Sequence, residues 1–511
     1  MSDEKRGDIM KSYWENFRKN GKQYPKITED INTDVCIIGG GLSGLSVAYY
    51  LSKKIEKELK QKLDVVILEK NNICSGTSAK NTGKVTSQHG LFYDYLVNSK
   101  DREFVQKYLE ANQNAIQDIE TIVNTENINC DFKRESAYVF TNNDKKLDNI
   151  KKEYKTVNNL RSDLSNYSEN IDIPIACKGA IEFKNQAKIH PLKYVYGLAD
   201  AVTKKGVKIF ENSKVINIQK EAEQYSIEVN GKIVKAKYVV LTTRYPILSF
   251  PGYYFLKMYQ STSYAMVFDC KEQLFEGMYI NAETPNISFR IIEEKDKKLL
   301  LVVGYDYKTG IPEENGYNEI EKIVKSMYPK AEIISKWSAE DSISLDKIPY
   351  IGEYSNLMKN MYIATGFNKW GLTSSNIAGQ IIADKILNID NKYESIFKAT
   401  RLQPIKNREE LSNMIKEANN SIILSKFKIP KEHLNSINID EGKIINVNGT
   451  KIGVYKDTNG EIHKVKPVCT HLGCELNFNN IDKIWECPCH GSKFTYDGKS
   501  IETPSNQNLE N

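Results

Sequence analysis

The pattern of apolar and polar positions changes period several times along the chain, and each change marks an element. Val35, Cys36, Ile37 and Ile38 form a short unbroken apolar run, as a strand covered on both faces requires. A glycine turn and a helix follow up to Leu51, and a second apolar run, Val65–Leu68, ends at Glu69. Residues 91–185 begin with helical patterning and include a charged stretch, Asn142–Asp163, that reads as a solvated helix face. Residues 252–310 alternate apolar and polar and are rich in tyrosine and β-branched side chains, a sheet signature. Residues 391–427 are charged and mostly helical in pattern, as a helical linker would be. From Lys428 the texture turns to short strands, with Asn448-Gly449 and Asn459-Gly460 as hairpin signals.

The composition fits this alternation. The chain has 511 residues, 40% hydrophobic and 27% charged, which excludes wholesale disorder and fibrous architecture. One core rarely grows beyond ~250–300 residues, so two or three packed units are expected. A formal charge of +5 is too balanced to argue for nucleic acid, and no nucleic-acid partner is expected. No segment approaches the ~20 apolar residues of a membrane span, and the first 25 residues contain no apolar secretory region. The expected location is the cytoplasm.

Two places carry chemistry. Gly39, Gly41 and Gly44 have G-x-G-x-x-G spacing between a strand and a helix, the arrangement that brings backbone and helix N-terminus up to a pyrophosphate. Glu69, at the end of the next strand, is placed to accept ribose hydroxyls. Four of the nine cysteines crowd into the boxes Cys469-Thr470-His471-Leu472-Gly473-Cys474 and Cys487-Pro488-Cys489-His490-Gly491-Ser492. Thiolates and imidazoles at this spacing suit either a tetrahedral zinc or an iron–sulfur cluster.

The stretch after Glu69, CSGTSAKNTGKVTSQHG, resembles the FAD-dependent D-amino-acid oxidase superfamily, as does MYIATGFNKWGLTSSNIAGQIIADKIL (361–387). LDKIPYIGEY (345–354) and VKIFENSKVINI (207–218) add looser agreement. The resemblance implies a Rossmann-type FAD-binding domain over 31–90, 186–250 and 335–390, with an inserted mixed-sheet substrate domain over 91–185 and 251–334. It implies FAD contacts from Gly39, Gly41, Leu42, Ser43, Gly44, Glu69, Lys70, Ser75, Gly76, Thr77, Ser78, Val215, Gly366, Trp370, Gly371, Leu372 and Thr373. Some members attach FAD through a histidine where this chain has Lys80, so non-covalent FAD is expected. No second G-x-G-x-x-G marks a pyridine-nucleotide domain.

On the substrate side, Arg290 and Arg244 are candidates to clasp a carboxylate, with Tyr254 foremost among Tyr253, Tyr254 and Tyr259 as a pocket donor. Lys84 and His89 lie just past the flavin loop.

C-T-H-x-G-C with C-P-C-H-G-S resembles the Rieske 2Fe–2S family over residues 428–511, and the fold class expected is α/β followed by a small all-β Rieske domain. The resemblance implies Cys469 and Cys487 on one iron, His471 and His490 on the other, and a potential between about −150 and +300 mV. It further implies a Cys474–Cys489 disulfide, with Leu472 and Ser492 supporting the cluster. Phe494 departs from the pattern, since high-potential members carry a tyrosine there that bonds a cysteine sulfur; losing that donor lowers the potential.

Together these readings imply an oxidoreductase that removes electrons from a small amine or amino acid and passes them singly to its own cluster. An external carrier protein or quinone would complete the circuit. The reverse current, in a reductase or monooxygenase component, and a non-catalytic redox sensor or electron carrier are the competing readings.

Overall fold

The structure, a computed structural model, describes residues 11–58, 63–294, 297–311, 315–401, 434–505 and 507–510. Most of the expected linker over 391–427, and residues 428–433, lie outside the described residues.

The apolar run Val35–Ile38 ends the strand Ile31–Ile38, which lies parallel to Val65–Leu68 on one side and Lys232–Leu241 on the other. Side chains alternate across a strand, so a doubly covered strand must be apolar at every position. Val35, Ile37, Val65 and Ile67 accordingly enter one core, and Cys36, Ile38, Val66 and Leu68 enter another. Strands Lys208–Phe210, Met361–Thr365 and Tyr350–Glu353, with the Val215–Glu221/Gln224–Val229 hairpin, complete an eight-stranded sheet. The helices Leu42–Glu58 and Gly371–Leu387 pack against each other, with Ser43 and Ser375 hydroxyls 3.0 Å apart.

A second sheet of nine strands joins Lys133–Thr141, Gly179–Lys188 and Met278–Asn281 to the long antiparallel strands Met258–Asp269, Ile287–Glu294, Lys297–Lys308 and Glu332–Ser344. Met278–Asn281 runs parallel to Lys133–Thr141, so the sheet is mixed. Three segments cross the boundaries expected from sequence. Glu332–Ser344 pairs along its length with Met258–Asp269, although the segment from 335 was expected in the nucleotide-binding unit. Lys84–Val85 and the end of Gly179–Lys188 also pair inside this sheet. Main-chain pairing decides membership here.

The C-terminal unit holds a three-stranded sheet, Glu441–Val447, Thr450–Lys456 and Ile462–Val465, and a four-stranded one from Asn477 to Glu502. Asn448 (φ 51°) and Gly449 (φ 84°) make the turn of its first hairpin, the left-handed pair that a two-residue connection needs. No helix among the described residues is long and apolar enough to cross a membrane.

Buried charge joins this unit to the rest. Lys493 Nζ lies 2.5 Å from Glu340 and 2.9 Å from Glu486, and Glu340 also pairs with Arg244. The Glu486 carboxylate accepts the Tyr307 hydroxyl at 3.2 Å and the Gly310 N–H at 3.0 Å. Burial pushes the Glu340 carboxyl up, but Lys493 and Arg244 outweigh it and hold it well below the usual carboxylate range. The group is depressed in the folded state, so its stabilisation is present at neutral pH and lost as pH falls through and below that range.

Lys493→Met would leave two buried carboxylates without their shared cation. Removing one partner of a buried pair costs roughly 3–5 kcal/mol, so the variant should unfold at markedly lower temperature at pH 7, with a smaller difference in acid. Thermal melts of both proteins across pH check this.

Candidate functional sites

An elongated cavity runs between the eight-stranded sheet and the mixed sheet. Its floor is the glycine turn: Gly39, Gly41, Leu42 and Ser43 line it, with Glu69 and Lys70 from the end of the next strand. Gly39 (φ +112°) takes a conformation that side chains avoid, and an added Cβ would meet the Thr242 carbonyl oxygen at 2.7 Å. A Cβ on Gly44 would lie 2.0 Å from the Gly39 oxygen, so Gly44 shapes the turn by letting helix and strand close up. The Glu69 carboxylate accepts the Gly40 N–H at 2.8 Å and the Asn71 N–H at 2.9 Å, which fixes its direction at the wall.

Ser75, Gly76, Thr77, Ser78, Lys80, Val215, Gly366, Gly371 and Leu372 also line the cavity. A Cβ on Gly76 or Gly371 would meet nothing within 4 Å, so both glycines border open space where a cofactor would lie. Gly371 and Leu372 open the helix Gly371–Leu387, whose first turn contains no acid. Its unpaired N–H groups give that end of the cavity a positive potential. Thus the donor set and the open glycine walls fit FAD.

Of the expected contacts, Gly44, Trp370 and Thr373 stand behind the wall. Trp370 stacks on His89 with ring centroids 4.6 Å apart, and the Thr373 hydroxyl donates to the Thr86 carbonyl at 3.5 Å. His89 itself is buried, its Nδ1 2.9 Å from the Tyr108 hydroxyl, and burial lowers its pKa to about 3. Lys84 donates to Ser288 at 2.5 Å and the Tyr279 carbonyl at 3.0 Å, and burial lowers it to about 7.

Arg290 is not at the cavity. Its guanidinium donates to the carbonyls of Thr82 at 2.6 Å and Ile189 at 3.1 Å and packs over the Trp14 ring. Through Nη1 it clamps the loop after the flavin turn to the mixed sheet. Tyr254 is likewise displaced: its buried hydroxyl donates to the Tyr354 carbonyl at 3.0 Å, inside an aromatic cluster. Tyr253 is exposed, and neither it nor Tyr259 reaches the cavity wall. Arg244 does line the cavity, held by Glu340.

The residues found instead come from the mixed sheet. Ser263, Val303, Ala339 and Asp341 cover one end of the cavity, where Lys369 reaches in beside them. Lys369 pairs with Asp306 at 2.9 Å and meets the Ser263 hydroxyl at 3.2 Å. Burial raises the Asp341 pKa, opposed by Lys369 and Arg244. Lys369 lay within the quoted segment 361–387, whereas the alternating strand around Asp341 carried no chemical signal.

In the C-terminal unit the two Cys/His boxes fold into facing loops. The Gly473 N–H bonds back to the Cys469 carbonyl at 3.0 Å and the Gly491 N–H to the Cys487 carbonyl at 2.9 Å, with both glycines in left-handed conformations. Cys474 and Cys489 form a disulfide between the loops. Cys469 and Cys487 remain free thiols in mutual contact, standing in for the thiolates a cluster would take. The contact with Cys487 pulls the Cys469 thiol down to about 7, and the His471 N–H and Ser492 hydroxyl act in the same sense against burial.

His471 and His490 have ring centroids 5.1 Å apart, and the Nδ1 of each is buried without a hydrogen-bond partner. Burial lowers both, to about 4 and about 3, so both are neutral at physiological pH, as ligands must be. Two thiols and two orphaned Nδ1 atoms are the donor set of a 2Fe–2S cluster with mixed ligation. Ser492 Oγ accepts the Ser505 N–H at 3.1 Å, Leu472 is partly exposed on its loop, and Phe494 is buried opposite Trp485.

The histidine edge faces the flavoprotein half. Ser249 Oγ lies 3.0 Å from His471 Nε2, the Tyr245 ring is 6.5 Å from each imidazole, and Phe255 stands edge-on to His490. Neither Ser249 nor Tyr245 was expected from sequence.

Comparison with known proteins agrees with both sites. The family model "FAD dependent oxidoreductase" (DAO) matches residues 34–385, and the "Rieske [2Fe-2S] domain" model matches 431–511. A Bacillus subtilis protein described as a Rieske 2Fe-2S iron-sulfur protein, YhfW, is 32% identical over 500 residues, covering 98% of this chain and 96% of that one. The gamma-glutamylputrescine oxidoreductase of Escherichia coli is 23% identical, over 75% of this chain and 90% of that one. Glycine oxidase from Geobacillus kaustophilus shares the fold with a TM-score of 0.60 at 17% identity, over 73% of this chain and all of that one. The zinc alternative for the cysteine boxes falls away with these matches. By model and by geometry, the chain belongs to the DAO family of FAD-dependent oxidoreductases, bears a C-terminal Rieske domain, and has FAD and a 2Fe–2S cluster as its cofactors.

Proposed function

We propose that this chain oxidises a small amine or amino acid at a C–N bond in the cavity and passes the electrons one at a time to its own Rieske cluster. An external carrier protein or quinone then collects them. Bound FAD supplies two-electron oxidation of carbon, and the cluster accepts single electrons. The observation that carries this reading is the path of one segment: Thr242, Thr243 and Arg244 line the cavity, and the next residue, Tyr245, lies against both cluster histidines. The segment ties the two sites by consecutive peptide bonds.

The glycine oxidase and gamma-glutamylputrescine oxidoreductase among its relatives support the substrate class. At the covered end of the cavity, Lys369 anchors a substrate carboxylate, and the ionised Asp341 carboxylate takes up the proton that the substrate ammonium must lose, which leaves the reacting nitrogen neutral. Lys80, an amine with no affinity for covalent flavin attachment in the histidine manner, supports non-covalent FAD. The buried unpaired thiols Cys36, Cys74, Cys130 and Cys270 support a reducing compartment, the cytoplasm.

Asp341→Asn should slow flavin reduction about 100-fold with the best amine found. Because Asp341 accepts only when ionised and its pKa is raised, the wild-type rate should rise with pH through that raised value, and the Asn variant should lose this limb. Stopped-flow absorbance across pH reads both effects.

The experiment for the function itself is anaerobic mixing with a panel of amines and amino acids. Flavin bleaching followed by the reduced-cluster EPR signal is the expected sequence. Cys487→Ser should lose the cluster spectrum yet keep bound FAD and bleaching by substrate. Loss of bleaching in that variant would show that electrons do not reach the flavin first.

A further inference from the structure

The histidine edge of the Rieske loops is covered by a short stretch of the other half of the chain, and one contact there is specific. Ser249 Oγ lies 3.0 Å from His471 Nε2, the ring nitrogen opposite the orphaned Nδ1. We infer that Ser249, from the flavoprotein half, is a positioning residue for the cluster: it holds His471 by its outer nitrogen and tunes the cluster's potential across the domain interface.

Four observations support this. His471 Nδ1 is buried and unpartnered, so it is the nitrogen available to iron, and the proton of the neutral ring then resides on Nε2. That N–H points at Ser249 and donates to its oxygen. Ser249 is itself fixed: its carbonyl accepts the Tyr253 N–H at 3.1 Å, and the adjacent Leu248 carbonyl accepts the Tyr354 hydroxyl at 2.9 Å. Tyr254, displaced from the substrate role, bonds the Tyr354 carbonyl and so helps fix the same loop. Finally, Tyr245 and Phe255 pack beside the two imidazoles and reduce the water that could compete for the contact.

The sign of the effect follows from ligand basicity. A histidine that donates its outer N–H becomes a stronger donor to the metal, and stronger donation favours the oxidised cluster. Ser249 therefore holds the potential down, and removing its hydroxyl should raise it.

The test is an EPR-monitored redox titration of the full-length protein at one fixed pH, for wild type, Ser249→Ala and Ser249→Thr. FAD absorbance and the cluster signal serve as controls for folding and loading. Ser249→Ala should favour the reduced cluster by up to about tenfold at a given potential, an upward shift of up to about 59 mV for one electron. Ser249→Thr keeps the hydroxyl and should stay at the wild-type value. An unshifted Ala variant overturns the inference, as does a Thr variant shifted as far as Ala. The inference rests on the assignment of His471 as a ligand. That assignment fails separately, if the wild-type protein itself lacks a Rieske-type signal.

Discussion

After the strand Lys232–Leu241 the chain must turn within hydrogen-bonding distance of the glycine loop, and both redox sites depend on how it does so. The Thr242 hydroxyl bonds the carbonyls of Ile38 at 2.9 Å and Gly39 at 3.0 Å, pinning the turn to the floor of the cavity. Only a residue without Cβ fits at position 39 against the Thr242 carbonyl. Arg244 then adopts φ +62°, and its carbonyl accepts the hydroxyls of Thr365 and Ser342. From this turn Arg244 pairs with Glu340, and Tyr245 lies beside the cluster histidines. A few residues later the same segment delivers Ser249 to His471.

The buried charges beside this turn make the arrangement specific. A buried ion pair is weak evidence for stability, because desolvation offsets most of the attraction. Its geometric demand is stronger: two carboxylates and two cations, all nearly sealed from solvent, are tolerable only when the C-terminal unit docks in one register. Lys493 sits one residue beyond Ser492 on the second Cys/His loop, so satisfying its charge also sets the cluster loops against Tyr245 and Ser249. Docking and cluster environment are thus linked through adjacent residues.

Much of this was legible in the chain where chemistry is local. The glycine turn is a backbone requirement met within six residues, and each Cys/His box is closed by its own hydrogen bonds, so spacing sufficed to find them. The sheets were legible as period changes, though the edge at 335 was drawn too early, because Glu332–Ser344 takes its partner from a strand far away in sequence. Arg290 looked like a substrate clasp, yet what it binds, the carbonyls of Thr82 and Ile189, is invisible without the fold. Asp341 and Ser249 were missed for the same reason: each is an ordinary polar residue made notable by what tertiary structure places opposite it.

Under the proposed function the two redox sites form one electron-transfer unit within a single chain. Flash photoreduction of the bound flavin, with the cluster followed by absorbance at several protein concentrations, tests it most directly. First-order reduction of the cluster, at a rate independent of protein concentration, is expected. A rate proportional to concentration, or a cluster that stays oxidised, would contradict it.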